Sequence, residues 1–190
     1  MTLKFNPVVC RILLKYLNPK KGEKILDLGC GEGCYMKEIE QYTKDVIGID
    51  NSRGVVEKVS NPKILCADGT SLPFDSLTFD KIYSLNTIEH IADLEKLFSE
   101  VSRVLKPGGI AVFLYPFEPI RGVQATVAAC RQYNNPFAGR KIHLHSLNPN
   151  KIKTLILHTE LDHKQSMLFF FTLSYITVLQ KPVYIAGSGE

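Results

Sequence analysis

The sequence has no run of five like charges, no zinc-type pairs among its cysteines, and no apolar stretch of the ~20 residues that a bilayer span needs. Each absence removes a class of function. Net charge is +4, yet the lysines and arginines are scattered, so no concentrated nucleic-acid footprint is expected. Five cysteines at 10, 30, 34, 66 and 130 are an odd number, which argues against a disulfide framework and against a structural metal. Met1 to Pro7 lacks the apolar core of a secretion signal, so the expected location is cytoplasmic. The longest uncharged stretch, Gln165 to Gln180, carries Ser166, Thr172, Ser174 and Thr177 and reads as strands, with no membrane span expected. What remains is a 190-residue chain, 45% hydrophobic and 22% charged, an ordinary composition for one globular domain over 1–186 with 187–190 as a flexible tail.

The organising stretch is Ile25-Leu-Asp-Leu-Gly-Cys-Gly-Glu-Gly33. Ile25, Leu26 and Leu28 read as a short strand buried on both faces, and it runs directly into Gly29, Gly31 and Gly33. Glycines at that junction let the backbone turn sharply and approach a ligand closely. A dinucleotide loop, Gly-x-Gly-x-x-Gly, would require glycine at position 34, where this chain has Cys34. The polar run after the glycines predicts a helix over about 32–42 with Tyr35, Met36 and Ile39 inward.

Around this unit the elements alternate. Asn6-Pro7 opens a helix carrying Val8, Val9, Ile12, Leu13, Tyr16 and Leu17, which ends at Asn18-Pro19 and packs beside the first strand. Asp45 to Asp50 is a second strand ending on a carboxylate 21 residues after Gly29, the β-α-β spacing that delivers an acid to the crevice beside the first loop. Asp50 there suits a ribose diol, or else caps a helix over 52–60. A third strand, 63–67, ends on Asp68-Gly69, a sequence that also makes a common turn. A fourth strand over 80–85 is followed by a helix over 93–105 that stops at Lys106-Pro107-Gly108-Gly109, and a fifth strand covers 110–115. Beyond it come a weak helix over 123–133, a loop over 134–139, and an extended segment with His143 and His145 on one side. No third ligand accompanies these histidines, so no metal is expected. A helix with Pro149 in its first turn runs to about His158, and strands over 167–171 and 175–180 close the pattern.

Asp27-x-Gly29-x-Gly31-x-Gly33, Phe79-Asp80 before the fourth strand, Glu89-His90-Ile91 after it and Leu105-Lys-Pro-Gly-Gly109 before the fifth occur in order. Together they resemble the landmarks of class I S-adenosylmethionine-dependent methyltransferases, within the broad group that includes quinone-biosynthetic enzymes. The resemblance implies an α/β fold: a doubly wound, mostly parallel seven-stranded sheet, Rossmann-like, with an antiparallel last strand. It implies S-adenosyl-L-methionine as cofactor. Position by position, Gly29, Cys30 and Gly31 would meet its methionyl end, and Asp27 would orient that loop or its ammonium. Asp50 would take the ribose, with Asn51 beside it among the contacts. Asp68 would take the adenine amino group and the Gly69 amide a ring nitrogen, with Leu72-Pro73-Phe74 as an apolar wall. The backbone near Leu85 and Asn86 would pass close to the methionyl amine. The enzymes that methylate nucleobase amines carry an Asn/Asp-Pro-Pro-aromatic motif after the fourth strand, where this chain has Asn86-Thr87-Ile88; Asn135-Pro136-Phe137 lies in the wrong place.

A sulfonium methyl needs chiefly a nucleophile held in line. If the acceptor must lose a proton, His90 is nearest in sequence to the site, although it also reads as a helix-entry histidine; His143, His145, Tyr115 and Glu118 are weaker candidates. The chain is barely longer than a catalytic core, and Tyr115, Phe117, Tyr133 and Phe137 hint at an apolar or ring-containing small-molecule acceptor. Two other readings stay open: a catalytically idle cofactor-binding partner subunit, and a nicotinamide oxidoreductase. Oligomeric state is not written in the sequence.

Overall fold

The side chain of Asn6 accepts hydrogen bonds from the amides of Val8 and Val9, and Pro7 sets the first turn, so α1 (Pro7–Leu17) begins where its N–H groups first need partners. Asn18, at φ 45°, ends it in the left-handed conformation and returns its amide to Leu14 O. The structure, a computed structural model, describes residues 5–117 and 144–183. In chain order there follow β1 (Ile25–Leu28), α2 (Met36–Ile39), β2 (Val46–Asp50), α3 (Arg53–Val59), β3 (Ile64–Cys66), β4 (Phe79–Leu85), a 3-10 turn at Ile88–His90, α4 (Leu94–Val104), β5 (Leu105–Pro116), α5 (Pro149–Leu155), β6 (Asp162–Phe169) and β7 (Ser174–Gln180).

The strands form one sheet in the order β3-β2-β1-β4-β5-β7-β6. β1 to β5 pair in parallel, and β7 runs antiparallel to both β5 and β6. The last strand in sequence is therefore the reversed one, as the resemblance implies. The strand order changes direction between β1 and β4, so the loops leaving these two strands diverge and open a crevice at their C-terminal ends.

Alternation along the strands supplies a core to each face. Ile25, Tyr83, Val112 and Leu114 meet Leu13 and Leu17 of α1 and Met36 and Ile39 of α2. Leu26, Ile82, Phe113 and Tyr115 meet Leu97, Phe98 and Val101 of α4 and Ile152 of α5. Among the described residues no helix is long and apolar enough to cross a membrane.

Four boundaries differ from the sequence reading. The helix expected over 32–42 is reduced to Met36–Ile39, because Gly31 at φ 54° and Gly33 at φ 73° hold the preceding segment in turns; Tyr35, Met36 and Ile39 are nonetheless buried. β5 begins at Leu105, since Gly108 N–H donates to Lys181 O and Lys181 N–H to Gly109 O, pairing the segment read as a helix stop. α5 ends at Leu155, short of His158. β6 starts five residues earlier than Met167 because its first half, Asp162 to Gln165, is polar and lies on the sheet edge, where no apolar alternation is needed. The helix and loop expected over 123–139, with Tyr133, Asn135, Pro136 and Phe137, lie outside the described residues, as do Glu118 and His143.

Candidate functional site

The loop after β1 is folded by its neighbours. Gly29 at φ 80° has a conformation that side chains rarely take, and a Cβ there would overlap Cγ2 and Oγ1 of Thr87. Gly29 N–H and Cys30 N–H both donate to Ile49 O, at 2.8 and 2.9 Å. Gly31 N–H donates to Asp50 Oδ2 at 2.9 Å, and the other oxygen, Oδ1, accepts from Ser52 N–H at 2.9 Å. Asp50 O in turn accepts from Ala67 N–H, which ties the ends of β2 and β3 together. Asp50 stands two residues before Ser52, the residue that precedes α3, so it fixes the approach to that helix without being its cap. Each carboxylate oxygen has a lone pair beyond these bonds, so the group can still accept from a diol.

Asp68 Oδ1 accepts from Thr70 N–H at 2.8 Å, and Asp68 O accepts from Ser71 N–H. The turn reading and the cleft reading of Asp68-Gly69 therefore describe the same geometry. At the end of β4, Asn86 takes φ 49° and donates its amide to Leu114 O, which folds Thr87 back beneath the glycine loop.

These ends enclose one cleft of about 480 Å³. Gly29, Gly31, Asp50, Asn51, Asp68, Gly69, Leu85, Asn86 and His90 all line it. That volume falls within the ~300 to 1,000 Å³ typical of small-ligand pockets. Leu28, Ile49, Val55, Ala67 and Ile91 make its apolar surface. Leu72 and Phe74, expected as that wall, instead join the core on the α4 face, with Phe74 edge-on to Phe79. Thr87, Ser52 and Val55 line the cleft as well, and the sequence reading did not select them. Val55 carried a signal in hindsight: it is an apolar residue in the first turn of a helix that buries none of its side chains.

Asp27 and Cys30 do not line the cleft with the others. Asp27 is the register partner of Tyr83 on the sheet face that α1 and α2 cover, and Tyr83 donates to its Oδ2 at 2.8 Å. Burial pushes the Asp27 carboxyl up to about 7; the Tyr83 hydrogen bond partly offsets this and the charge of Asp50 adds to it. Burial likewise pushes the Cys30 thiol far up, with Asp27 and Asp50 adding, so it stays protonated and is a packing group next to Met36.

His90 sits at the end of the 3-10 turn, half exposed at the cleft, with Nε2 3.9 Å from Oε1 of the buried Glu89. His145 Nε2 approaches Ile91 O at 2.9 Å and Ala92 O at 3.2 Å, and Leu144 N–H donates to Glu89 O, so this segment braces the loop that carries His90. Tyr115 is fully buried and its hydroxyl is 2.8 Å from Thr177 Oγ1, while Phe117 stacks edge-on against Tyr175. A half-polar cleft with a carboxylate at or just past the end of each of two strands, a glycine turn after a third and an imidazole on the 3-10 turn that follows the fourth suits a nucleoside with a charged extension.

Residues 26–113 match the family model described as a methyltransferase domain. The chain is 38% identical over 104 residues to 24-methylenesterol C-methyltransferase 3 of Arabidopsis thaliana, covering 49% of this chain and 29% of that protein. It is 33% identical over 111 residues to demethylmenaquinone methyltransferase of Corynebacterium kroppenstedtii, covering 56% of this chain and 48% of that protein. The matched stretch thus spans less than half of either relative. In fold it is similar to geranyl diphosphate C-methyltransferase from Streptomyces coelicolor A3(2), solved in complex with Mg²⁺, geranyl diphosphate and S-adenosyl-L-homocysteine. The TM-score is 0.71 at 14% identity, over 92% of this chain and 79% of that one.

Proposed function

We propose that this chain, whose residues 26–113 match a methyltransferase-domain model and whose sheet has the class I S-adenosylmethionine-dependent methyltransferase fold, transfers a methyl group to an apolar small-molecule acceptor. The observation that carries this reading is the meeting of Asp50 and Asp68 with the Gly29–Gly31 turn and the end of β4 on one cleft. Asp50 keeps acceptor capacity and would take the ribose hydroxyls, and Asp68 with Gly69 would take the adenine edge, with Ile49, Val55 and Ala67 as apolar lining of the same cleft. The bound cofactor supplies an electrophilic methyl on a sulfonium, which needs no metal for its activation. What the chain must do is hold that group, exclude water and bring the acceptor's nucleophilic atom into line. Where the acceptor gives up a proton, the imidazole of His90 at the cleft edge takes it. The relatives named for sterol and menaquinone substrates support an apolar acceptor.

The test is calorimetry with S-adenosyl-L-homocysteine, followed by turnover on a panel of sterol, quinone and isoprenoid diphosphate acceptors. Asp50→Ala is expected to weaken binding by ~1 to 3 kcal/mol, the scale of hydrogen bonds lost from a charged group. Unchanged affinity removes the ribose assignment. Binding of the cofactor without turnover on any acceptor supports the idle-subunit reading, and tight NAD binding in its place revives the nicotinamide one.

A further inference from the structure

We infer that Thr87 is a positioning residue for the cofactor: its side chain, wedged beneath Gly29, sets the width of the slot between the glycine turn and the end of β4. The inference rests on the reading of the cleft as an S-adenosylmethionine site. It starts from the hydrogen bonds of the turn. Gly29 N–H and Cys30 N–H are taken by Ile49 O, and Gly31 N–H is taken by Asp50 Oδ2. The turn therefore presents its surface to a ligand, with those three donors already engaged by the protein. A ligand's fit against such a turn depends on where the turn stands.

Its position relative to β1 and β2 is fixed by those three bonds. On the β4 side Thr87 fills the space. A Cβ on Gly29 would overlap Thr87 Cγ2 and Oγ1 and come within 2.7 Å of its Cβ, so the two residues already touch with no room for one more methyl group. The hydroxyl is shared between Leu85 O at 3.2 Å and Gly29 O at 3.4 Å. Both distances are long for O–H···O, whose usual range is ~2.5 to 3.0 Å, so shape carries more of the contact than hydrogen bonding. Thr87 is itself held firmly: Asn86 at φ 49° turns the chain, Asn86 N–H is bonded to Leu114 O, and Thr87 O accepts from His90 N–H at 2.9 Å. One side chain thus links the turn after β1, the end of β4 and the turn that carries His90. It also lines the cleft.

On that reading the methionyl end of the cofactor would lie nearest this contact, and the adenosyl end would meet Asp50 and Asp68 farther along the cleft. Shrinking Thr87 should therefore loosen one half of the ligand and spare the other. The experiment compares S-adenosyl-L-homocysteine with 5′-methylthioadenosine, which keeps the adenosine and lacks the amino acid extension. Thr87→Ala is expected to weaken S-adenosyl-L-homocysteine about tenfold, the scale of one lost well-packed contact, and to leave 5′-methylthioadenosine within about twofold. Thr87→Val, which keeps the shape and drops the hydroxyl, is expected to bind both like the parent chain. The melting temperature of each variant is read alongside. Equal weakening of both ligands, no weakening of either, or a Thr87→Val variant as impaired as Thr87→Ala overturns the inference. A parent chain that binds neither ligand removes the methyltransferase reading and this inference with it.

Discussion

Asp27 shows how far one side chain can depart from the role its position suggests. In the unfolded chain it is an ordinary carboxyl near 3.8, and folding pushes it up to about 7, chiefly through burial. The folded state then keeps a proton that the unfolded state releases. Its contribution to stability is complete below about pH 4 and is lost as pH rises through 7. Asp27→Asn, which preserves an acceptor for Tyr83, is expected to flatten the pH dependence of the urea midpoint between pH 4 and 7 and to raise the midpoint at pH 8. An unaltered slope would assign that dependence to other groups. His90 makes the opposite case, a residue whose surroundings leave it at the cleft edge with Glu89 beside it. If it accepts a proton during transfer, His90→Ala lowers kcat at least tenfold while S-adenosyl-L-homocysteine affinity stays within about twofold, the lower end of general-base effects being ~100-fold and water serving as a substitute. An equal kcat takes His90 out of the chemistry.

Among the elements, the helices with explicit caps were legible. Asn6 and Asn18 bracket α1 at the residues the sequence indicated, and Asp93 accepts from Lys96 N–H at the start of α4. Asp93→Ala should cost about 1 kcal/mol in chemical denaturation, the usual value of an N-cap, with the cleft unaffected. A change within error would show that the first turn is held by the packing of Leu94 and Leu97 alone. The parts that were not legible share a cause, which is that tertiary partners decided them. The segment from Glu32 onward looked like the start of a helix, but the positive φ of Gly33, following that of Gly31, keeps it in turns as far as Tyr35. Lys106 to Gly109 looked like a stop until Lys181 paired with it. In the site, Asp50 and Asp68 could be read because each ends an apolar run, and a strand tip has one place to go. Asp27 lies inside a strand, where only the covering helices determine whether a carboxylate faces ligand or core. Thr87 gave no pattern at all, since its role comes from contact with a residue 58 positions away.

At the scale of the molecule, the sheet has a parallel half that builds the cleft and an antiparallel margin that completes the other edge. A chain of hydroxyls crosses that margin: Tyr115 to Thr177 at 2.8 Å, Thr177 to Ser166 at 2.7 Å, and Ser166 to His163 Nε2 at 2.8 Å. Thr177, fully buried, is the link between β5 and β6. Thr177→Val keeps the volume but leaves the buried Tyr115 hydroxyl without this partner. We expect a loss of ~1 to 3 kcal/mol, the penalty for stranding such a group, measurable as a lower urea midpoint. A loss below half a kcal/mol would mean that the Tyr115 hydroxyl finds another acceptor.

The placement of β7 between β5 and β6 governs how the polypeptide can assemble as it is synthesised. Residues 162–169 leave the ribosome before residues 174–180, yet they have no seat in the sheet until the later segment has docked along Ile110–Pro116. Until that happens, one side of β5 has its row of amides and carbonyls open to any other extended chain nearby. The nascent protein thus passes through an interval of vulnerability to mispairing that ends only when the latecomer slides between its two neighbours.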